Sequence, residues 1–156
     1  MLTDSLKLND DKSEFLVIGT PQQLAKVNTH STHVGDCNVS AVSSARNLGS
    51  WLDTKLSMAT HITKLSGSCF YYFWNIRRLR KYQSWRCAET LVHAFVSARI
   101  DYCNSILSGI PGYHLNKLQR IQNAAARLVF QRSTYCHITP LLFSLHWLSV
   151  KFLTLF

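Results

Sequence analysis

The hydrophobic residues in the first third of the chain fall in short runs that turn-forming residues interrupt. Residues 15–18 form an apolar run that ends at Gly19, a pattern typical of a buried strand. The Gly-Asp pair at residues 35–36 stands where a tight hairpin turn would need positive φ angles. Residues 38–53 alternate between apolar and small polar positions, which predicts one or two further strands with a break near Gly49.

From Ser57 onward, apolar residues recur at alternating spacings of four and three, which places them along one face of a helix. A long helix is predicted to begin after Ser57, whose side chain suits an N-cap. Its inward face is predicted to comprise Met58, Ile62, Leu65, Cys69, Tyr72, Ile76 and Leu79. A short helical segment is also expected at residues 2–8.

Three more helices are predicted after this one. Ser84 can cap the second helix, whose predicted inward face consists of Ala88, Leu91, Phe95, Ala98 and Tyr102. The third covers residues 113–130, with Leu115, Leu118, Ile121, Ala125 and Leu128 inward and Asn116, Arg120, Asn123 and Arg127 outward. Thr139 followed by Pro140 predicts the start of a fourth helix.

Together these patterns predict an α+β fold in which a small antiparallel sheet is followed by a helical bundle. We place the sheet in residues 1–56, the bundle in residues 57–132, and the start of a further helix, cut short, in residues 133–156. The chain has 156 residues, of which 47% are hydrophobic, so it is long enough to build a core.

The positive charge of the chain is concentrated in its second part. Residues 1–56 contain five Lys and Arg against six Asp and Glu, whereas residues 57–156 contain twelve against two. A basic excess confined to one segment favours a polyanionic partner for that segment, with nucleic acid before a membrane surface. The alternative is a basic face that only contacts solvent.

The cysteine content and the hydropathy pattern bear on the compartment. Five cysteines without a CxxC pair, and the lack of a basic-then-apolar leader, argue against a secreted disulfide-stabilised protein. The longest stretch without charged residues, 133–150, contains Pro140, two histidines and several hydroxyl groups. We therefore expect no transmembrane helix and an intracellular location, cytoplasmic or nuclear.

Five strings spread over almost the whole chain resemble those of LINE-type, or non-LTR, retrotransposon reverse transcriptases of the jockey-like and chicken-repeat-like groups. Residues 6–14 (LKLNDDKSE) are similar to the family's LxLNxxKTE, and residues 46–53 (RNLGSWLD) to its xxLGVxLD. Residues 100–105 (IDYCNS) resemble LDYCNS, and residues 118–128 (LQRIQNAAARL) match LQRIQNAAAR. Residues 137–148 (HITPLLFSLHWL) match the HITPLL and LHWL strings that follow.

The resemblance implies that the predicted sheet is the end of a polymerase palm and that the bundle is a thumb. Leu48, Gly49 and Trp51 then belong to a hairpin like the one that grips the primer end. Lys12 corresponds to the palm lysine proposed to protonate the departing pyrophosphate. Without bound metal and nucleotide this lysine has no such role, and it is expected to be a solvated, vestigial turn residue.

The resemblance does not extend to the catalytic carboxylates. The intact family uses Mg²⁺ held by palm aspartates that include an adjacent pair in a Phe/Tyr-x-Asp-Asp loop, because phosphoryl transfer needs metal charge on both reacting oxygens. That motif does not occur in this sequence, and Asp10 and Asp11 lie in a different string. We therefore predict no catalytic residues, no cofactor and no polymerase activity for this chain alone.

The function that a thumb could keep is weak, non-specific binding of an RNA or DNA duplex. The cations predicted to contact the phosphates are Arg77, Arg78, Arg80, Lys81, Lys117, Arg120, Arg127 and Arg132. Two alternatives remain, namely a small helical protein-interaction module and a gene fragment without function. The oligomeric state and the choice between RNA and DNA stay open.

A zinc site is a weaker hypothesis. His30, His33 and Cys37 have usable spacings, but a structural zinc ion takes four ligands and no fourth is evident. We predict no metal site. Cys69, Cys87 and Cys103 lie in or beside helical apolar faces, where cysteine behaves as a small hydrophobic residue.

Overall fold

A computed structural model describes residues 13–28, 31–34, 37–102 and 104–153 of the chain. The described residues form an α+β structure with two compact units, the first ending at Thr60 and the second beginning at His61. The predicted helix at residues 2–8 lies outside the described residues.

The first unit is built from two separate antiparallel hairpins instead of one sheet. Its strands are β1 (Ser31–Val34), β2 (Cys37–Ser40), β3 (Ser44–Asn47) and β4 (Ser50–Asp53), and β1 pairs with β2 while β3 pairs with β4. The tight connection predicted between Val34 and Cys37 agrees with their direct pairing in the first hairpin.

The strand predicted at residues 15–18 is wrong. Only Phe15 pairs, through an isolated bridge to Ala41, and Ile18 is 50% exposed. An apolar run forms a strand when both of its faces can be covered, and none of these side chains is fully buried. A short helix that we did not predict, α1 (Pro21–Leu24), follows, with Thr20 as its cap.

The second unit consists of helices and tight helical turns. They are α2 (Ala59–Leu79) with a 3₁₀ turn at Arg80–Tyr82, α3 (Trp85–Val92), a π-helical segment at His93–Ser97, α4 (Ala98–Asp101), a 3₁₀ turn at Asn104–Leu107, α5 (Gly112–Val129), α6 (Thr139–Ser144) and α7 (Val150–Leu153). The predicted starts at Ser57, Ser84, Tyr113 and Thr139 agree with the observed starts to within two residues.

The inward face of α2 agrees with the prediction at most positions. Ile62, Cys69 and Ile76 are buried, and burial raises the pKa of the Cys69 thiol to about 11, against the opposing charge of an arginine. Leu79, however, is 53% exposed, and Phe73 is buried in addition. At the last turn of the helix, the buried residues therefore no longer follow the predicted spacing.

The inward face of the second predicted helix is wrong after Ala88. Phe95 and Tyr102 are exposed, and the buried series is Ala88, Val92, Val96 and Ile100. Residues four apart drift by about 40° per step around an α-helix of 3.6 residues per turn. The π-helical segment takes more residues per turn and cancels this drift, so a spacing of four stays inward.

The helix α5 joins the rest of the second unit through two glutamines of the LQRIQNAAAR string. Gln122 Nε2 donates to the carbonyl of Leu148 at 2.8 Å, and Gln119 Oε1 accepts from the N–H of Val150 at 2.9 Å. These bonds hold the segment before α7 against α5. The same string contributes Leu118, Ile121 and Ala125 to the core, as predicted.

Two further contacts fix the relative direction of α2 and α5. Near the beginning of both helices, Lys117 Nζ donates to Thr63 Oγ1 at 3.3 Å. Just past the end of α2, Arg80 donates to the carbonyl of Val129, the last residue of α5. The two helices therefore run in the same direction, and their C-terminal ends lie at the same end of the unit.

Candidate nucleic-acid interface

An open pocket of about 490 Å³ lies where the C-terminal ends of α2 and α5 meet. It is lined by Arg77, Arg80, Lys81, Ala124, Arg127, Leu128, Gln131, Arg132, Ser133 and Thr134, and we call it the basic pocket. Five of the eight cations that the sequence predicted to bind nucleic acid line it, although about fifty residues separate the two groups along the chain. None of these lining residues is acidic.

Arg80 differs from the other lining cations because its side chain is buried. Its Nε and Nη2 donate to the carbonyl of Val129 at 3.2 and 2.6 Å, and its Nη1 donates to the carbonyl of Gln83 at 2.7 Å. Only 8% of the residue is exposed. The predicted phosphate-binding role of Arg80 is therefore replaced by a structural one, since its guanidinium already serves two backbone carbonyls.

Arg127 lines the basic pocket and is half-buried, although it was predicted to point outward. Its Nη2 donates to the carbonyl of Cys136 at 3.3 Å, while its buried Nε has no hydrogen-bond partner within the described residues. A buried N–H without a partner costs free energy. The Arg127 guanidinium is thus held in place but keeps unused hydrogen-bonding capacity.

The chain reverses direction at the end of α5 and so brings further polar groups to the pocket. The N–H of Arg132 donates to the carbonyl of Arg127 at 2.9 Å, that of Gln131 donates to Leu128 at 3.3 Å, and Gln131 has a φ of 52°. This is the Schellman arrangement of a helix C-terminus. The residues after this turn, Arg132, Ser133 and Thr134, line the pocket and are exposed.

The hydroxyl residues were missed by the sequence reasoning. Ser133 and Thr134 directly follow Arg132, and this polar run after an amphipathic helix is a signal that could have been noticed. Gln131 carries no comparable signal, because its place in the pocket depends on the left-handed turn that ends α5.

The remaining three predicted cations do not line the pocket. The Arg78 guanidinium lies 4.7 Å from the ring centroid of Trp74, and Lys117 contacts Thr63. Arg120 is exposed on α5. The predicted set is therefore divided between a cluster at one end of the unit and separate surface positions.

Compensation of helix dipoles explains only part of this cluster. A helix C-terminus carries roughly half a negative charge, so two ends together attract about one cation. Arg80 supplies that charge directly at the end of α5. The exposed side chains of Arg77, Lys81 and Arg132 then form a positive surface beyond what the two helix ends require.

Leu48, Gly49 and Trp51, which the resemblance predicted to belong to a primer-gripping hairpin, lie in the first unit. Leu48 and Gly49 form the two-residue turn between β3 and β4, with φ angles of 45° and 89°, and Trp51 pairs with Arg46. Two positive φ angles are typical of a type I′ turn. Leu48 is 83% exposed, so a strained apolar residue forms the tip of this hairpin.

Asp53 ends this hairpin and accepts hydrogen bonds from the residues that lead to α2. Its Oδ1 accepts from the N–H of Ser57 at 2.9 Å, and its Oδ2 accepts from the Ser57 hydroxyl at 2.9 Å. Partial burial alone would raise the pKa of Asp53, but the bonds from Ser57 and other backbone N–H groups outweigh it and lower the pKa.

Several predicted positions lie outside the described residues, among them Lys12, Asp10, Asp11 and His30. Within the described part of the chain, no three His, Cys, Asp or Glu side chains are grouped so that they could hold a metal ion. The helices described are each too short or too polar to cross a membrane.

Comparison of the chain with protein-family models, with curated proteins and with solved structures gives no match.

Proposed function

We propose that this chain binds the phosphate backbone of a nucleic-acid duplex in the basic pocket, with little preference for base sequence. The observation that carries the proposal is the convergence of Arg77, Lys81, Arg127 and Arg132, from the ends of two separate helices and the turns that follow them, on one open pocket with no acidic lining. Cations and hydroxyls that contact phosphates fix a duplex without reading its sequence. The resemblance to the thumb of LINE-type reverse transcriptases supports the same function.

The proposal assigns no polymerase activity to this chain alone. The sequence contains no Phe/Tyr-x-Asp-Asp string, and phosphoryl transfer in that family needs metal ions held by such carboxylates. Purified protein given a primer-template, Mg²⁺ and nucleotides should therefore show no primer extension above background. Extension that Lys12→Ala abolishes would contradict this part of the proposal.

The binding experiment compares two triple variants that lose the same charge. The pocket variant combines Arg77→Gln, Lys81→Gln and Arg132→Gln, all at exposed positions of the basic pocket. The control variant combines Lys26→Gln, Lys55→Gln and Arg120→Gln, which are exposed and do not line the pocket. Affinity for an RNA–DNA hybrid at low salt is the readout.

We expect the pocket variant to lose roughly 10-fold or more in affinity, because each phosphate contact contributes separately to binding. The control variant should lose much less. Equal losses in the two variants would show that only the overall charge matters. Arg80 is left unchanged, since its substitution would remove the bonds to Val129 that join α2 to α5 and would confound binding with stability.

A protein-interaction module is the second candidate function, and the exposed apolar side chains near the end of the chain favour it. Phe143 is 80% exposed, Leu148 58% and Phe152 53%. Such a surface would bind a partner with weak salt dependence, because burial of apolar area drives it. A protein that binds neither a nucleic acid nor a partner would leave the remaining alternative, a fragment without function.

A further inference from the structure

Exposed aromatic rings lie next to the basic pocket, and each has a cation over it. The Arg78 Cζ atom lies 4.7 Å from the ring centroid of Trp74, and the Lys81 Nζ atom lies 4.8 Å from that of Tyr82. Trp74 is 56% exposed and Tyr82 is 77% exposed. Lys81 belongs to both features, since it also lines the basic pocket.

The two rings belong to an exposed surface of α2 and of the 3₁₀ turn that follows it. The exposed residues of this segment include Phe70, Trp74, Arg77, Arg78 and Lys81, each of which is three or four residues from another member of the set. Residues at such spacings are neighbours on a helix surface. Two aromatic rings are therefore followed by three cations along one face that leads to the pocket, and Tyr82 comes directly after the last cation.

Surface stabilisation alone does not explain this face. An exposed cation–π pair adds only a small stabilisation, and it requires neither a neighbouring pocket nor high exposure of the ring. A third pair, Arg86 over Trp85 at 5.5 Å, does have a packing role, because Trp85 also stacks with Phe130. Trp74 and Tyr82 are the more exposed rings, and they carry the inference.

We infer that Trp74 and Tyr82 stack against unpaired bases, so that the preferred partner is a nucleic acid with a single-stranded stretch beside the phosphates held in the basic pocket. The inference rests on the proposed function. Bases offer flat π faces of any sequence, and aromatic side chains interleaved with cations are the groups that bind single strands. A purely apolar partner would not complement Arg78 and Lys81.

The sharpest test keeps the phosphates and removes the bases. Binding of an oligothymidylate of about 12 nucleotides is compared with binding of an abasic oligomer of the same length and charge, using the intact chain at low salt. Stacking on two rings predicts that the parent binds the oligothymidylate at least about 10-fold more tightly, since each stacked base typically contributes roughly 5- to 150-fold.

A double variant, Trp74→Leu with Tyr82→Leu, should bind both oligomers equally and no better than the parent binds the abasic one. Leucine keeps an apolar side chain and helix propensity but has no π face. The matched control is Phe143→Leu, which changes an 80% exposed ring on α6, away from the lining of the basic pocket. It should keep the parent's preference for bases.

Three results would overturn the inference, and they can be distinguished. Equal binding of both oligomers by the parent, with weakening in the pocket triple variant, would refute stacking and leave the proposed phosphate binding intact. No binding of either oligomer or of a duplex would refute both. Competition by polyglutamate as strong as by the oligothymidylate would also overturn the inference, because it would show that an acidic peptide without bases suffices.

Discussion

Arg80 donates two hydrogen bonds, of 3.2 and 2.6 Å, to the carbonyl of Val129, the residue that ends α5. In the opposite direction, Gln131 Nε2 donates a hydrogen bond to the carbonyl of Arg80 at 3.3 Å. The ends of the two longest helices are thereby joined by reciprocal side-chain to backbone bonds. The pocket proposed for phosphates forms around this junction.

Arg80→Gln should destabilise the protein by about 2–4 kcal/mol. The shorter side chain cannot reach both carbonyls, and a buried carbonyl without a partner costs about 1–3 kcal/mol in addition to the lost bonds. Chemical denaturation measures the change. Arg77→Gln, at an exposed position of the same segment, should alter stability by less than about 0.5 kcal/mol. Similar effects of the two variants would contradict the structural role of Arg80.

Leu48→Asn should stabilise the first unit by about 1 kcal/mol. Leu48 has a φ of 45° in a two-residue turn before Gly49, and asparagine tolerates this conformation far better than leucine does. Hydrogen exchange of the β3–β4 amides reports the change. Leu48→Ala serves as the control, because it removes the same exposed side chain but keeps the unfavourable φ. Equal protection of these amides in both variants would show that the φ angle of Leu48 does not destabilise the hairpin.

The stability of the protein should fall as the pH drops below about 6.5 because of His61. Burial lowers the pKa of this histidine below its ordinary value of 6.5, so protons bind the unfolded state preferentially. The contribution of neutral His61 is complete above that value and is lost as the pH falls toward the folded pKa. Urea unfolding at about pH 7.5 and about pH 5.5 measures the decline.

His61→Gln should flatten this part of the pH profile, whereas His137→Gln, at an exposed position, should leave it unchanged. A decline that survives His61→Gln would assign the pH dependence to another group.

The hydrogen bonds to Asp53 affect stability at a lower pH than His61 does. The pKa of Asp53 is lowered from 3.8, so its contribution to stability is lost only as the pH falls below that value.

The helices were more predictable from the sequence than the strands. The helix predicted at residues 113–130 is observed at Gly112–Val129, because its apolar residues keep one period throughout. The face of the second helix was wrong because periodicity assumes a regular α-helix, and a π-helical segment intervenes. The strand at residues 15–18 was wrong because an apolar run does not by itself show whether a neighbouring strand covers it.

The cations of the candidate site could be predicted from charge, but their roles could not. Arg77, Arg80 and Lys81 are equivalent in the sequence, and only the packing of α5 beside α2 shows that Arg80 is buried. Arg127 was expected to be exposed, yet the chain after α5 folds back and brings the carbonyl of Cys136 to it. Such contacts depend on tertiary structure that the period of a single helix does not contain.

The salt dependence of duplex binding measures most directly whether the basic pocket holds phosphates. Affinity is determined over a range of salt concentrations for the parent, the pocket triple variant and the control triple variant. With Arg77, Lys81, Arg127 and Arg132 in contact, the logarithmic slope on duplex DNA should be near −3 to −4, at about −0.9 per contact. The pocket variant should retain a slope near −1, and the control variant should keep the parent's slope. Identical slopes for the two variants, or a parent whose affinity does not change with salt, would contradict the proposed interface.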